Sequence, residues 1–324
     1  MSEAIVDTPV ASVTPVPRIR EIAVVGEIHF AGRALVRALL SKGLRARVLC
    51  PDDRAEAAVS NLRTASDPEN AVRIIHGSVA AKEALAETLK GVYGAVFLSP
   101  ITMGGRMYRP REHLEDVRRV ISVAQSQALR KLVYHSALGA DPMSYSLSLR
   151  EAALAEELVS ASNCQDYRVR TGPLMGRGDG FLGEILKAVK TGSFIAGFMG
   201  CGSTPIQPIH VDDMARCISR IFIDRPSEIN PGVLNLAGPD TTTMLNLADM
   251  AEARLGRTKL RIHIPLFLLK LVVSMKPGDL RFKERVGLLF DTFYTEKNDA
   301  LSLLAPEEKL TTLKQAQEEI LLPA

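Results

Sequence analysis

Short apolar runs and amphipathic segments alternate along the first half of the chain. Runs typical of buried strands are EIAVVG (21–26), RARVLC (45–50), AVRIIHG (71–77), GAVFLSP (94–100) and RKLVYHSA (130–137). Between them, apolar residues recur at helical spacing, as in GRALVRALLSKG (32–43), KEALAETLKG (82–91) and a segment near 110–128. This alternation predicts an α/β fold with a doubly wound, mainly parallel sheet, helices on both faces and the first strand near its centre.

After residue 150 the alternation becomes less regular. A strand followed by a glycine-rich loop is predicted over 166–180, another strand over 232–238, and mostly helical structure from about 241 onward. The opening segment is rich in Pro, Val, Thr and Ser and lacks a basic start and an apolar core, which predicts a disordered leader rather than a targeting peptide. We therefore expect a leader (1–18), a main α/β domain (19–240) and a small C-terminal lobe (241–324) packed on it.

The composition is ordinary for a soluble globular protein, with 46% hydrophobic and 24% charged residues. The net charge of +3 is small and both signs are interspersed, which argues against nucleic-acid binding. The cysteines have neither C-x-x-C pairing nor metal-ligand spacing; they are Cys50, Cys164, Cys201 and Cys217. Free thiols and no metal are therefore expected, in a reducing cytoplasmic environment.

No apolar run approaches the ~18 residues that a membrane-spanning helix needs. The nearest candidate is IHIPLFLLKLVVSM (262–275), which Lys270 interrupts. We interpret it as a C-terminal helix packed over the cleft. Its long apolar face, which ends at Lys276, leaves peripheral contact with a membrane surface as the alternative.

Four segments, in this order, carry a resemblance to a known family: HSALGAD (135–141), RTGPLMGRGDGFLG (170–183), QPIHVDDMAR (207–216) and VLNLAGPDTTTMLNLADMAEARLGR (233–257). The chain resembles the atypical short-chain dehydrogenase/reductase superfamily from about Arg20 to Leu303. The most similar branch contains the NmrA-like proteins and the NADPH-binding accessory subunit of respiratory complex I. The resemblance implies a Rossmann-like NAD(P)-binding domain; it implies less about function, because one fold hosts many functions.

The family's phosphate-binding turn is G-x-x-G-x-x-G, and this chain keeps only its outer glycines. Gly26 and Gly32 match them, whereas His29 replaces the middle glycine, where a side chain crowds the pyrophosphate. The alternative is that a protonated His29 contacts a phosphate itself. By the same alignment, the degenerate cofactor site comprises Gly26, His29, Phe30, Gly32 and Ser99.

The family's NADP-selecting positions have also changed. Pro51 stands where a basic residue usually meets the 2′-phosphate, and Asp52 and Asp53 follow it. Those carboxylates repel a 2′-phosphate but can accept from the ribose hydroxyls of NAD, and Arg54 restores a cation if the loop turns back. Ser78 replaces the aspartate that usually lies near the adenine amino group. We therefore expect NAD(P) binding that is weak or absent.

The catalytic Y-x-x-x-K pair of the superfamily is missing in this alignment. Ser148 occupies the tyrosine position and Ala152 the lysine position, while Tyr145 and Arg150 lie five residues apart and diverge around a helix. Of the usual catalytic group only Ser136 remains. The weak catalytic candidates are accordingly His135, Ser136 and Tyr145, with His135 a conceivable general base near neutral pH.

These departures lead to three hypotheses. The first is a non-catalytic descendant that acts as a regulatory, assembly or accessory protein. The second is a small-molecule enzyme with non-standard chemistry, an isomerase, cyclase or lyase, whose cleft includes Ser99, Tyr134, His135, Ser136 and Tyr145. The third is an NAD(P)-dependent oxidoreductase without the Tyr/Lys dyad. The expected partner is a small molecule in the cleft or another protein.

Overall fold

The structure is a computed structural model, and it describes residues 20–64, 71–100, 112–178, 181–183, 185, 204–223, 229–256, 284, 287–288 and 291–321. The predicted leader (1–18), Cys201 and the apolar segment 262–275 lie outside the described residues. Within the described part of the chain, no helix is long and apolar enough to cross a membrane.

The strands of the main sheet are β1 (Glu21–Gly26), β2 (Arg45–Cys50), β3 (Val72–His76), β4 (Gly94–Leu98), β5 (Lys131–Ala137), β6 (Gln165–Thr171) and β10 (Gly232–Leu236). Short strands elsewhere are β7 (Leu174–Met175), β8 (Pro205–Ile206), β9 (Ile209–His210) and β11 (Thr242–Thr243). The helices are α1 (Arg33–Ser41), α2 (Asp53–Ser60), α3 (Lys82–Leu89), α4 (Glu112–Ser126), α5 (Leu147–Ser160), α6 (Val211–Ile223), α7 (Met244–Leu255), α8 (Ala300–Leu303) and α9 (Leu313–Leu321).

The main sheet has the order β10-β6-β5-β4-β1-β2-β3 among the described residues, and all its neighbouring strands pair in parallel. The doubly wound α/β prediction is therefore confirmed, with β1 beside the central strand β4. The strand order reverses between β1 and β4, and such a switch point opens a crevice at the carboxyl ends of the strands.

Alternate residues of β1 pack into the two layers of helices. Ile22 and Val24 belong to the hydrophobic cluster that includes α1 and α6, whereas Ala23 and Val25 belong to the cluster that includes α3 and α4. Every residue of β5 is buried, as expected for a central parallel strand covered on both faces. This burial explains why apolar runs alone located the strands.

The described part of the C-terminal region packs on the main domain through two clusters: α8 joins the cluster that includes α1 and α6, and α7 and α9 belong to a third cluster. Helix α7 begins at the N-cap Thr243, whose side chain accepts from Asn246 N at 3.1 Å, and ends at Gly256 in a left-handed conformation. Buried residues of α7 and α9 meet residues of α5 in this cluster; they include Leu247, Ala251, Leu313, Ala316, Leu149 and Ala152. The domain boundary at 240 remains a prediction.

Candidate functional site

A cavity of about 690 Å³ lies at the carboxyl ends of β1, β2, β3 and β4, beside the switch point of the sheet. Open parallel sheets bind their ligands at this place. The described residues that line it are Gly26, Glu27, Leu49, Pro51, Gly77, Ser78, Val79, Ala80, Phe97, Pro100, Glu112, His113, Glu115, Asp116 and Arg119. Pro51 and Ser78, two of the departures from the family pattern, therefore lie in the cavity wall.

The two retained glycines of the turn are required by backbone packing. Gly26 has φ +100°, and a Cβ placed there would lie 2.1 Å from the carbonyl oxygen of Leu98 on β4. A Cβ on Gly32 would lie 2.9 Å from the carbonyl oxygen of Glu27. Both positions need glycine whether or not a dinucleotide binds.

The turn after β1 is closed by the side chain of Glu27. Residues Ile28–Gly32 form a π-helical turn that leads into α1, and the Glu27 carboxylate accepts from Phe30 N at 3.0 Å and from Ala31 N at 2.7 Å. Free N–H groups at such a turn are the donors that bind an anion at a helix N-terminus. Here a carboxylate of the chain itself accepts from two of them; Glu27 was not among the residues predicted from the sequence.

His29 and Asp52 face each other at the mouth of the turn. His29 Nε2 lies 3.7 Å from Asp52 Oδ2, and the side chain of His29 is 27% exposed. The other oxygen of Asp52 accepts from Ala55 N at 2.8 Å and caps α2. Phe30 is partly buried against the main hydrophobic cluster. Asp52 is thus engaged in local contacts, and the predicted cofactor residues Gly26, His29, Phe30 and Gly32 do share one turn.

Carboxylates dominate the charged groups of the cavity wall. Four acidic side chains and one guanidinium are found among its described lining residues; they are Glu27, Glu112, Glu115, Asp116 and Arg119. Arg119 Nη1 donates to Asp116 Oδ1 at 2.7 Å, and Arg118 Nη1 donates to Glu115 Oε1 at 2.5 Å, so two of the four carboxylates are ion-paired within α4. Burial is the main cause that raises the pKa of Asp116, and the carboxylates of Glu112 and Glu115 add to it.

Behind this wall lies a buried cluster of rings. His113 Nε2 is 2.8 Å from the hydroxyl of Tyr134, and the rings of His113 and Phe97 stack with centroids 5.7 Å apart. Ser99 hydrogen-bonds to Tyr134 as well, and both residues are buried. Burial raises the pKa of Tyr134 and lowers the pKa of His113 to about 4. Ser99 and Tyr134, predicted for the cleft, therefore belong to its buried support.

The catalytic candidates on β5 are held by neighbouring elements. His135 is 1% exposed, and its Nε2 lies 2.9 Å from Thr171 Oγ1 on β6. The hydroxyl of Ser136 donates to Glu156 Oε1 at 2.5 Å, and Glu156 Oε2 accepts from Arg170 Nη2 at 2.7 Å. Neither His135 nor Ser136 is among the described residues that line the cavity.

Segments from the C-terminal region cover the start of α5, where the reductase tyrosine is expected. Ser148 is 4% exposed, its hydroxyl donates to Glu284, and Leu147 N donates to the same carboxylate at 2.8 Å. Asp291 Oδ2 accepts from Ser146 N at 3.2 Å. Tyr145, in contrast, is 62% exposed on the loop before α5. The structure therefore does not bring Tyr145 together with His135 and Ser136 at the described cavity.

Neither Ala152 nor the described cysteines form a catalytic or metal-binding group. Ala152, at the lysine position, is fully buried in the cluster beneath α7. Cys50, Cys164 and Cys217 are not joined in disulfides. Among the residues that the structure describes, no group of three or more His, Cys, Asp or Glu side chains is arranged to hold a metal ion.

The buried imidazoles of His113 and His135 give a testable pH dependence of stability. Burial lowers the pKa of His113 and of His135 from 6.5 to about 4, so their stabilising effect is present above pH 6.5 and is lost as pH falls toward 4. Each imidazole contributes up to about 1.4 kcal/mol per pH unit to the slope of unfolding free energy. In urea denaturation between pH 7 and 4.5, His135→Gln should reduce this slope relative to the unmodified protein. Equal slopes in the two proteins would refute the assignment.

Comparison with known proteins supplies a family for part of the chain. Residues 30–187 match a protein-family model described as NAD(P)H-binding. The matched segment begins at Phe30, so Glu27 and His29 precede it. No curated protein matches the chain.

Solved structures similar to this one show the same fold at low identity. An NADPH-dependent quinone oxidoreductase from Escherichia coli, complexed with NADPH, has a TM-score of 0.67 and 18% identity, over 92% of this chain and 99% of that chain. The Citrobacter sp. triphenylmethane reductase, complexed with NADP(H), has a TM-score of 0.67 and 16% identity, over 93% of this chain and 100% of that chain. A nucleoside-diphosphate-sugar epimerase from Staphylococcus aureus has a TM-score of 0.69 and 15% identity, over 93% of this chain and 100% of that chain.

Proposed function

We propose that this chain, whose residues 30–187 belong to an NAD(P)H-binding family within the reductase and epimerase superfamily, acts as a regulatory, assembly or accessory protein that no longer performs standard hydride transfer. The predicted relationship to the atypical short-chain dehydrogenase/reductase superfamily is confirmed by this match and by the fold. The loss of hydride transfer and the accessory role are our proposal.

One observation carries the proposal: the Glu27 carboxylate accepts from Phe30 N and Ala31 N at the turn before α1. A pyrophosphate needs free donors there, and it would approach a carboxylate of like charge at close range. His29 adds a side chain at the same turn. These residues therefore do not fit the pyrophosphate of a dinucleotide, and NAD(P) binding is expected to be weak or absent.

The residues at the start of α5 support the proposed loss of hydride transfer. Carbonyl reduction needs a proton donor beside the carbonyl as hydride arrives, and general acid catalysis is worth about 10²–10⁴-fold in rate. Ser148 is buried and donates to Glu284, and Ala152 is buried and carries no charge. The alignment positions of the tyrosine and the lysine thus offer neither an accessible acid nor a cation that lowers its pKa.

The proposal predicts no appreciable NAD(P)H oxidation against a panel of ketones, aldehydes and quinones. The measurement is the absorbance of the reduced nicotinamide over time in the presence of the unmodified protein. The variant Tyr145→Phe tests whether the exposed tyrosine before α5 acts as a proton donor. Any turnover that does occur should persist without dinucleotide. Robust dinucleotide-dependent reduction would overturn the proposal.

A second candidate is an NAD(P)-dependent oxidoreductase that dispenses with the Tyr/Lys dyad. The NAD(P)H-binding family match favours it, as does the fold shared with a quinone oxidoreductase and a triphenylmethane reductase. The same assay separates the two, because this candidate requires dinucleotide-dependent turnover. Turnover that does not require a dinucleotide would instead favour an isomerase, cyclase or lyase.

The partner and the compartment complete the proposal. A small molecule in the cavity, or a protein that uses the fold as a scaffold, is the partner that an accessory role requires. Cys50, Cys164 and Cys217 form no disulfide, which supports a reducing cytoplasmic location.

A further inference from the structure

We infer that the cavity at the carboxyl ends of β1–β4 binds an uncharged, largely apolar aromatic molecule. This inference rests on the proposed function, since it assigns a ligand to the same place where dinucleotide binding has been given up. It follows from the apolar surface of the wall, from the internal partners of its charged side chains and from the uncharged hydroxyl of Ser78.

The cavity has the volume of a small-molecule site and apolar side chains from several elements in its wall. Its volume of about 690 Å³ lies within the ~300–1,000 Å³ of ordinary ligand pockets. Leu49, Val79 and Phe97 are buried side chains of the lining, and Pro51 and Pro100 add two less buried rings. Removing the apolar surface of a ligand from water against such a wall is favourable. This lining favours a ligand with a flat apolar body.

The acidic side chains that α4 contributes to the wall have partners within the protein. Glu115 accepts from Arg118 Nη1 at 2.5 Å, and Asp116 accepts from Arg119 Nη1 at 2.7 Å. Glu112 also interacts with another group of the protein. A charged ligand would have to compete with these contacts and would lose its own hydration on entering the cavity. The wall of α4 therefore selects neither a cation nor an anion.

The opposite side of the described wall offers an anion no unpaired cation. At the turn before α1, Phe30 N and Ala31 N donate to the Glu27 carboxylate instead of to a ligand. Burial lowers the pKa of His113 to about 4, so this lining imidazole is uncharged at neutral pH. It stacks on Phe97, with the ring centroids 5.7 Å apart. The two rings therefore extend the uncharged surface of the cavity.

Ser78 supplies an uncharged hydrogen-bonding group to the cavity. It is an exposed residue of the lining, and a hydroxyl can both donate and accept. By the alignment with the short-chain dehydrogenase/reductase superfamily, Ser78 replaces an aspartate and Pro51 replaces a basic residue. Both differences put an uncharged side chain where a charged one is usual. An aromatic ligand with one carbonyl or hydroxyl oxygen matches this wall.

Dyes of different charge test the inference directly. Nile red is uncharged and carries a carbonyl oxygen, Nile blue is a cation with the same benzophenoxazine ring system, and resorufin is a smaller phenoxazine dye that is an anion at neutral pH. Fluorescence anisotropy of each dye, titrated with the full-length protein, should show at least about tenfold tighter binding of Nile red, because a charged dye is costly to desolvate. Equal affinities, or tighter binding of either charged dye, would overturn the inference.

Matched variants locate the binding site of Nile red. Ala80→Asp places a carboxylate at an exposed lining position and should weaken Nile red binding at least about fivefold. Ala57→Asp makes the same substitution at an exposed position of α2 outside the described lining, and it should bind as the unmodified protein does. Ser78→Asp is a second lining variant, which should show the same loss if Ala80→Asp does not fold. Equal affinities in the lining variants and in Ala57→Asp would overturn the inference.

Adenosine and NADPH separate this inference from the proposed function. Adenosine is uncharged but polar, and a large excess should leave Nile red bound; displacement would overturn the inference in favour of a nucleoside site. NADPH is titrated separately into the unmodified protein. Tight NADPH binding contradicts the proposed function, whereas absent Nile red binding contradicts only the choice of ligand.

Discussion

Gly26→Ala is expected to destabilise the protein by about 3–5 kcal/mol, the sum of backbone strain and a forced overlap. Gly26 has φ +100°, and the new methyl carbon would lie 2.1 Å from the carbonyl oxygen of Leu98. That oxygen cannot move freely, because it accepts from Glu27 N at 2.9 Å and its strand β4 is paired on both sides. The methyl group therefore has to separate β1 from β4 at the switch point.

Gly43→Ala is the matched control for this prediction. Gly43 also has a positive φ, of +72°, but a Cβ placed there meets no atom within 4 Å. It should cost about 1–2 kcal/mol, from the left-handed conformation alone. Denaturant unfolding of the two variants and the unmodified protein measures both losses. Equal losses would show that strain at φ, and not the contact with Leu98, dominates at Gly26.

The packing of Gly26 affects whether the glycines of the turn indicate a cofactor. If Gly26 is needed for the crossing of β1 and β4, its presence follows from the fold and carries no information about a cofactor. The same argument applies to Gly32, whose missing side chain lets the π-helical turn approach the carbonyl oxygen of Glu27. A glycine pattern alone is therefore weak grounds for dinucleotide binding.

Most of the sheet could be predicted from the sequence, because the central strands are buried on both faces. Strands β1 and β2 begin and end where the apolar runs do, and β5 lost only Arg130 from the predicted run. Continuous apolar runs of this kind are the local signature of a parallel sheet. The C-terminal region, predicted as mostly helical, lies partly outside the described residues, including 262–275.

The site was harder to predict, because its main contacts depend on atoms brought together by the fold. His29 could be recognised from the sequence as the replaced glycine, whereas Glu27 was not predicted. A signal for Glu27 was present, since a carboxylate directly before a helix can accept from its first N–H groups. No local pattern signals the contact between Ser148 and Glu284, which are 136 residues apart. Burial of His135 and Ser136 likewise depends on the packing of β6 and α5.

Removing the side chains of Glu27 and His29 is expected to raise the affinity for NADPH at least tenfold, or by about 1.4 kcal/mol. The combined change Glu27→Ala with His29→Gly frees Phe30 N and Ala31 N, removes a negative charge and clears the middle of the turn. Glu27→Gln tests the charge alone and should give a smaller gain, because an amide oxygen can still accept from the turn. Loss of the cap should cost about 1 kcal/mol of stability, which leaves the fold intact.

Calorimetric titration of NADPH into the unmodified protein and into the combined Glu27→Ala, His29→Gly variant tests the central claim most directly. The claim is that a carboxylate of the chain occupies the donors that a pyrophosphate requires. We expect a Kd weaker than about 100 µM for the unmodified protein, equivalent to less than about 5.5 kcal/mol of binding free energy, and at least tenfold tighter binding for the variant. Sub-micromolar binding by the unmodified protein, or no gain in the folded variant, would contradict the claim.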